Sequence, residues 1–186
     1  MVLLGLILSF LPSLAQKESS GGDADKVHEI IMTDSGLLAI DTPQGFERAD
    51  GPGLAFFVPH QKARRKSGVV IYVSGIPIGP REDSKDFTAA VQADIDGFKA
   101  EYKDGVVKEE EDLELPRAKR RVPRYTMMSG KTNNAFEEIV YISEVDRVLT
   151  LVLSARSQED FARMLPVFHS FARSYGGLVI FDPKLK

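Results

Sequence analysis

The most regular pattern of apolar residues lies between positions 135 and 175. Two short runs, Phe136–Ile142 and Val148–Leu153, carry apolar residues at both odd and even positions. A strand with one face in water alternates, so such runs are typical of strands that are covered on both faces. The polar connection Ser143–Asp146 leaves no room for a crossover helix. The two runs are therefore predicted to form an antiparallel pair.

An amphipathic helix is predicted directly after this pair. Ser157 followed by Asp160 is a weaker form of the capping box that begins many helices. The apolar residues beyond it recur every three or four positions and form one stripe, which consists of Phe161, Leu165, Phe168, Phe171 and Tyr175. Pro166 predicts a kink or an early end near Leu165, because proline has no amide hydrogen. Gly176–Gly177 is predicted to end the helix.

Shorter patterns fill the rest of the chain. A second helix is predicted over Phe87–Tyr102, with Asp83 or Ser84 as its N-cap, and loops are predicted over residues 44–53 and 75–83. The remaining strand candidates are Val27–Met32, Leu37–Ile40, Leu54–Val58, Val69–Ser74, Val106–Leu115, Lys119–Ser129 and Leu178–Phe181. Antiparallel strands with two separate helices predict the α+β class. The expected architecture is a central antiparallel sheet flanked by helices on both faces, an α/β/α sandwich.

The first residues predict export. Residues 1–15 are uncharged, apolar from Val2 to Leu11, and end in a small-residue motif, which is typical of a signal peptide cleaved after Ala15. The alternative is that this segment is retained as an anchor. Residues 16–26 are predicted to be a flexible leader and residues 27–186 a single domain. The expected location is secreted or periplasmic, as a soluble protein without a stable membrane span after cleavage.

No motif predicts a cofactor, a metal site or catalysis. Gly130-Lys131-Thr132 resembles the end of a phosphate-binding loop, but Tyr125 stands where that loop needs glycine. The three histidines, His28, His60 and His169, are too far apart in sequence for a zinc motif, and the chain has no cysteine. An exported hydrolase would need one of them close to a serine or a carboxylate in a cleft. The chain is therefore not expected to be an enzyme.

Charge is concentrated in one segment. Acidic residues 109–112 and Glu114 precede a basic group formed by Arg117, Lys119, Arg120, Arg121 and Arg124. One interpretation is that opposite charges pair across a hairpin of two strands. The other is a basic surface, extended by residues 62–66, that binds an acidic partner or anionic lipid headgroups. The candidate partner-binding residues are Arg81, Arg117, Arg120, Arg121 and Arg124. The net charge of −3 argues against nucleic acid as a partner.

The order of these elements resembles the PsbP-like family, which includes the photosystem II extrinsic subunit and the Ran-binding Mog proteins. The resemblance covers residues 36–173 and rests on Leu37–Ile40 with Pro43 and Gly45-Phe46, the helix Phe87–Tyr102, and the closing strand pair before Val167–Phe171. It implies an antiparallel sheet between helices and a mostly non-enzymatic accessory or partner-binding role. No functional residue follows from it. The absence of the lipidation cysteine of bacterial photosystem relatives argues against a photosynthetic role.

Two functions remain open at this stage. The first is an exported, non-catalytic accessory or protein-binding domain of the cell envelope, whose partner the sequence does not identify. The second is a small-ligand or lipid carrier with an apolar pocket between the sheet and a helix.

Overall fold

The computed structural model describes residues 29–33, 36–60, 68–78, 84–130 and 134–180. Its helices are α1 (Ser84–Glu101) and α2 (Gln158–Arg173). Its strands are β1 (Ile30–Thr33), β2 (Gly36–Ala39), β3 (Phe46–Arg48), β4 (Ala55–Pro59), β5 (Val70–Pro77), β6 (Val106–Leu115), β7 (Arg120–Ser129), β8 (Ala135–Ser143), β9 (Arg147–Ala155) and β10 (Gly177–Ile180). The predicted signal peptide and leader lie outside the described residues, as does Arg81.

Seven strands form a large antiparallel sheet in the order β3-β4-β5-β9-β8-β7-β6. The predicted pair is present, with β8 and β9 antiparallel in a register that joins Val140 to Leu151. Residues 75–77, which were predicted to be loop, continue β5, because they pair with the first three residues of β9. Strand β3 was also predicted as loop, and its three residues form a strand because β4 returns beside them.

A second, three-stranded antiparallel sheet has the order β1-β2-β10. The prediction of one central sheet is therefore incomplete. Strand β2 is the middle strand, pairing with β1 on one side and with β10, from the far end of the chain, on the other. A pairing between strands so distant in sequence leaves no local pattern, and for this reason the sequence could not assign it.

Alternate residues of β8 and β9 belong to two hydrophobic clusters. Ile139 and Tyr141 pack in a cluster with Val91, Ile95 and Phe98 of α1. The second cluster has as members Val140 and Ile142 of β8, Leu149, Leu151 and Leu153 of β9, and Phe161, Phe168 and Phe171 of α2. Apolar residues at both parities were therefore correctly interpreted as strands covered on both faces.

Helix α2 begins as predicted. The amide of Asp160 donates to the hydroxyl of Ser157 over 3.1 Å, which is the N-cap hydrogen bond. The prediction of an early end at Pro166 is wrong, since the helix continues to Arg173. Buried residues on both sides of the proline, Phe161 and Phe168, hold the helix against the sheet and offset the lost backbone bond. The C-cap is Ser174, two residues before the predicted glycines.

Candidate functional site

The predicted basic group is held by partners within the protein. Arg124 of β7 contacts Glu138 of β8, with 3.2 Å between Nη1 and Oε1, and the Glu138 side chain is only 2% exposed. His169 of α2 contacts the same carboxylate oxygen through Nε2 at 2.6 Å. Nε2 also lies 3.1 Å from Arg124 Nη1. With its hydrogen on Nε2, His169 donates to Glu138 and has no lone pair on that nitrogen for Arg124, so the donors of both side chains are directed at the carboxylate.

A histidine oriented by a buried carboxylate provides two of the three members of a catalytic triad. The histidine condition for a hydrolase is thus met by His169, whereas His60 only lies 3.6 Å from Glu47 on the surface. The cleft condition is not met by the cavities described below, because neither is lined by His169 or Glu138. Within the described residues, no three or more His, Asp or Glu side chains are arranged to hold a metal ion. Arg124, Glu138 and His169 therefore act as a tie between sheet and helix.

Two further arginines, Arg120 and Arg117, connect the end of α2 to the sheets. Arg120 donates to the carbonyl of Ser143 over 3.0 Å, pairs with Glu144, and lies 5.6 Å from the ring centre of Tyr175. The hydroxyl of Tyr175 donates to the same Glu144 over 2.8 Å. Burial raises the pKa of this hydroxyl well above its usual range, so it remains a donor.

Arg117 and Arg121 differ in their surroundings. Arg117 donates to the carbonyl of Ser174 and lies 3.5 Å from Asp41. Arg121 pairs with Glu111 across the β6–β7 hairpin at 3.4 Å, with both side chains more than half exposed. This is the pairing that the first interpretation of the charged segment predicted. Binding of a partner by these arginines stays a prediction; four of the five are described and each has an internal partner.

The other face of β8 carries a carboxylate in a different environment. Glu137 is half-buried, and burial raises its pKa, as do the charges of Asp94 and Glu101 on α1; a hydrogen bond from Ser154 and the charge of Arg156 oppose this. Nearby, the hydroxyl of Tyr141 donates to Asp94 over 2.6 Å. Glu138 has Arg124 and His169 as partners, whereas the charged groups near Glu137 are mainly acidic, although the two residues are adjacent in sequence.

Two cavities are lined by described residues. The larger, of about 680 Å³, lies between β1 and the β3–β4 hairpin and is lined among others by Met32, Arg48 and Phe56. The smaller, of about 330 Å³, lies between the end of β4 and the start of β5. Neither lies between the sheet and a helix, where the carrier hypothesis placed its pocket. Phe168 and Phe171, which belong to α2, are almost fully buried in the core.

The outer face of the three-stranded sheet is apolar and exposed. Ile30 and Met32 of β1 are 65% and 69% exposed, and Val179 of β10 is 63% exposed. Met32 and Val179 both pair with Leu37 of β2, so the three side chains form one row across the sheet. The opposite face of the same sheet packs Ile31 and Leu38 into the core. We call Ile30, Met32, Leu37 and Val179 the outer apolar row.

Sequence reasoning missed this surface. The available signal was that residues 30–32 and 37–38 are apolar at consecutive positions, as in strands covered on both faces. The described residues include only five exposed large apolar side chains, and three of them lie on this small sheet. Grouped apolar exposure of this kind marks an interaction site more often than scattered exposure does.

The sequence matches no protein-family model and no curated protein. The structure is similar to the solution structure of cyanobacterial PsbP from Synechocystis sp. PCC 6803, with a TM-score of 0.49, 13% sequence identity, and coverage of 88% of this chain and 99% of the other. This is the family that the order of elements resembles. The similarity identifies no functional residue. Neither helix in the described ranges has the length and apolar composition that a membrane crossing requires.

Proposed function

We propose that this chain is an exported, non-catalytic accessory domain of the cell envelope that binds another protein through the outer apolar row. The observation that carries the proposal is the exposure of Ile30, Met32 and Val179 on one face of a sheet whose other face is part of the core. An apolar group at the centre of a binding surface supplies much of its binding energy once water is excluded. Export rests on the apolar, uncharged residues 1–15.

The proposed architecture is the α/β/α sandwich. The two clusters that contain α1 and α2 use alternate residues of β8 and β9, which supports one helix on each face of the large sheet. In such an arrangement both faces of the large sheet are occupied. The small sheet then provides the apolar surface that is open to a partner.

The group that most resembles a catalytic site consists of Arg124, Glu138 and His169. The carboxylate of Glu138 is shared by Arg124 and His169, which satisfies it within the fold. A catalytic histidine must exchange a proton with substrate, whereas this one links a helix to a sheet. The three residues are accounted for by stability.

The test is capture of a partner from the native envelope with matched variants. Val179 and Val145 are both 63% exposed, but Val145 lies in the β8–β9 turn and is not part of the small sheet. We expect Val179→Ser to reduce the recovery of a captured protein about fivefold, because roughly 1 kcal/mol of apolar burial is lost. Val145→Ser is expected to capture as much as the parent chain. Equal recovery with Val179→Ser and Val145→Ser would contradict the proposed surface.

A further inference from the structure

We infer that the open edge of β1 pairs with an extended segment of the partner protein, added as an antiparallel strand whose apolar residues alternate with polar ones. This inference rests on the proposed function and specifies the partner chemistry and the mode of binding. It is carried by the direction of backbone groups on β1, by the side chains on the same residues, and by the space beside them.

The backbone of β1 has two sets of hydrogen-bonding groups. The amide of Ile40 donates to the carbonyl of Glu29 over 3.2 Å, which fixes the bonded pairs of the β1–β2 register. Bonded pairs alternate in an antiparallel ladder, so Ile31 and Thr33 face β2 while the groups of Ile30 and Met32 point away from it. Arg48 donates to the carbonyl of Met32 over 3.1 Å and approaches from that outer side. Among the described strands, β1 is the edge of its sheet.

The residues with outward backbone groups also carry the exposed apolar side chains. Ile30 and Met32 are therefore able to pair twice with one added strand, through the backbone and through the side chain. In an antiparallel bonded pair, the opposed residues have their side chains on the same face. The partner residues whose amides bond to β1 would thus place their side chains beside the outer apolar row, and apolar residues are the ones that fit there.

Space for an added strand is present beside β1. The cavity of about 680 Å³ is lined by Met32 and Thr33 of β1, by Arg48 at the end of β3 and by the β3–β4 connection, and β3 is the edge of the large sheet among the described strands. Gly53 lines this cavity with φ at +87°, and a Cβ at this position would lie 2.3 Å from the carbonyl oxygen of Val73. Arg48 spans the gap and holds the Met32 carbonyl. An added strand would replace this side-chain bond with a backbone amide.

The size of the surface favours a peptide segment over a second copy of the chain. The small sheet consists of three strands of four residues each, whereas a standard stable interface uses roughly 20–30 residues on each side. A lipid surface is also disfavoured, because the backbone groups of Ile30 and Met32 that point away from β2 would be costly in hydrocarbon. An extended segment satisfies those groups and covers the apolar side chains together, as in strand addition by other binding domains.

The test uses the purified chain and an eight-residue peptide in which valine alternates with threonine and lysine. Two derivatives carry N-methyl groups, one on the valine amides and the other on the polar-residue amides. Binding is measured as dissociation constants from the amide chemical shifts of Ile30 and Met32. We expect methylation of the valine amides to weaken binding about tenfold, while methylation of the polar amides has little effect, since only the first set faces β1. A peptide of the same composition with its valines adjacent is expected to bind at least as weakly as the valine-methylated one.

Arg48→Ala provides a second readout on the protein itself. Removing the guanidinium frees the Met32 carbonyl, so the alternating peptide is expected to bind about two- to tenfold more tightly. Equal binding of both methylated peptides, or no binding of the alternating peptide, would overturn strand addition. So would self-association, or vesicle binding, that depends on Val179. The proposed function itself fails only if Val179→Ser leaves partner capture unchanged, so the two failures are distinguishable.

Discussion

The basic residues of β7 and the outer apolar row differ in chemistry, and they also differ in whether their side chains are available to contact a partner. Arg120 and Arg124 carry charges that suggest a binding surface, yet their guanidinium groups are directed at Glu144 and Glu138. Met32 and Val179 are apolar and would be expected in a core, yet each is more than 60% exposed. The availability of a side chain depends on the elements packed against it, and its chemical type alone does not decide it.

The physical cost of burial explains why the arginines have partners. A carboxylate as buried as Glu138 is costly without compensating charge, so Arg124 and His169 are retained close to it. No such requirement acts on Val179, because an exposed apolar side chain leaves no charge or hydrogen-bonding group without a partner. The comparison leads to four predictions.

The largest effect is expected for Arg124→Ala. This change leaves the carboxylate of Glu138 buried without its arginine partner, and we expect a loss of about 3–5 kcal/mol in the free energy of unfolding. The matched control is Arg121→Ala on the same strand, whose exposed pair with Glu111 predicts a loss below about 1 kcal/mol. Urea unfolding followed by circular dichroism measures both. Similar losses for the two variants would show that the tie to α2 is unimportant.

The two faces of the small sheet provide the next comparison. Leu38 is fully buried and its neighbour Leu37 is partly exposed on the outer face. Leu38→Ala is expected to cost about 2–5 kcal/mol, because a cavity remains in the core. Leu37→Ala is expected to cost less than about 1 kcal/mol. Thermal unfolding of both variants tests this, and an equal decrease in Tm would mean that the outer face is covered in solution.

The adjacent carboxylates of β8 predict a pH dependence. Burial raises the pKa of Glu137 above its value in the unfolded chain. The folded state therefore holds this proton to higher pH, and its contribution to stability is complete below the unfolded pKa of about 4.3 and is lost as pH rises through the folded pKa. Glu137→Gln stays neutral and is expected to gain stability relative to the parent as pH increases.

Urea midpoints of the parent chain and Glu137→Gln between pH 4 and pH 8 measure this difference. The gap between them should widen across the window that begins at the usual carboxyl pKa. A gap that is constant with pH would mean that Glu137 titrates alike in the folded and unfolded chains.

The smallest effect is expected for the variants used in the capture experiment. Val179→Ser and Val145→Ser replace exposed side chains, so their free energies of unfolding should lie within about 0.5 kcal/mol of the parent. Chemical denaturation provides the check. A large loss for Val179→Ser would indicate that this side chain is packed, and a reduced capture could then no longer be assigned to a lost contact.

Local pattern was sufficient for most of the secondary structure. The antiparallel pair β8–β9, the N-cap Ser157 and the bounds of β6 were predicted from neighbouring residues, because hydrophobic period and capping are local properties. Strand β3 was missed because its three residues are short and partly polar, and its pairing with β4 is what makes it a strand. The early end of the helix predicted from Pro166 was wrong, because the packing of Phe161 and Phe168 outweighs one missing backbone hydrogen bond.

The α+β class, the order of elements and the strands at the centre of the core could be predicted from the sequence, since each follows from burial of residues close in the chain. Which charges are available and where apolar surface remains depends on packing between distant segments. Residues 37 and 179 are far apart in sequence, and they become neighbours because β10 pairs with β2. Glu138 and Glu137 look alike in sequence and differ because adjacent residues of a strand point in opposite directions, so that His169 contacts Glu138 while the charges of Asp94 and Glu101 act on Glu137.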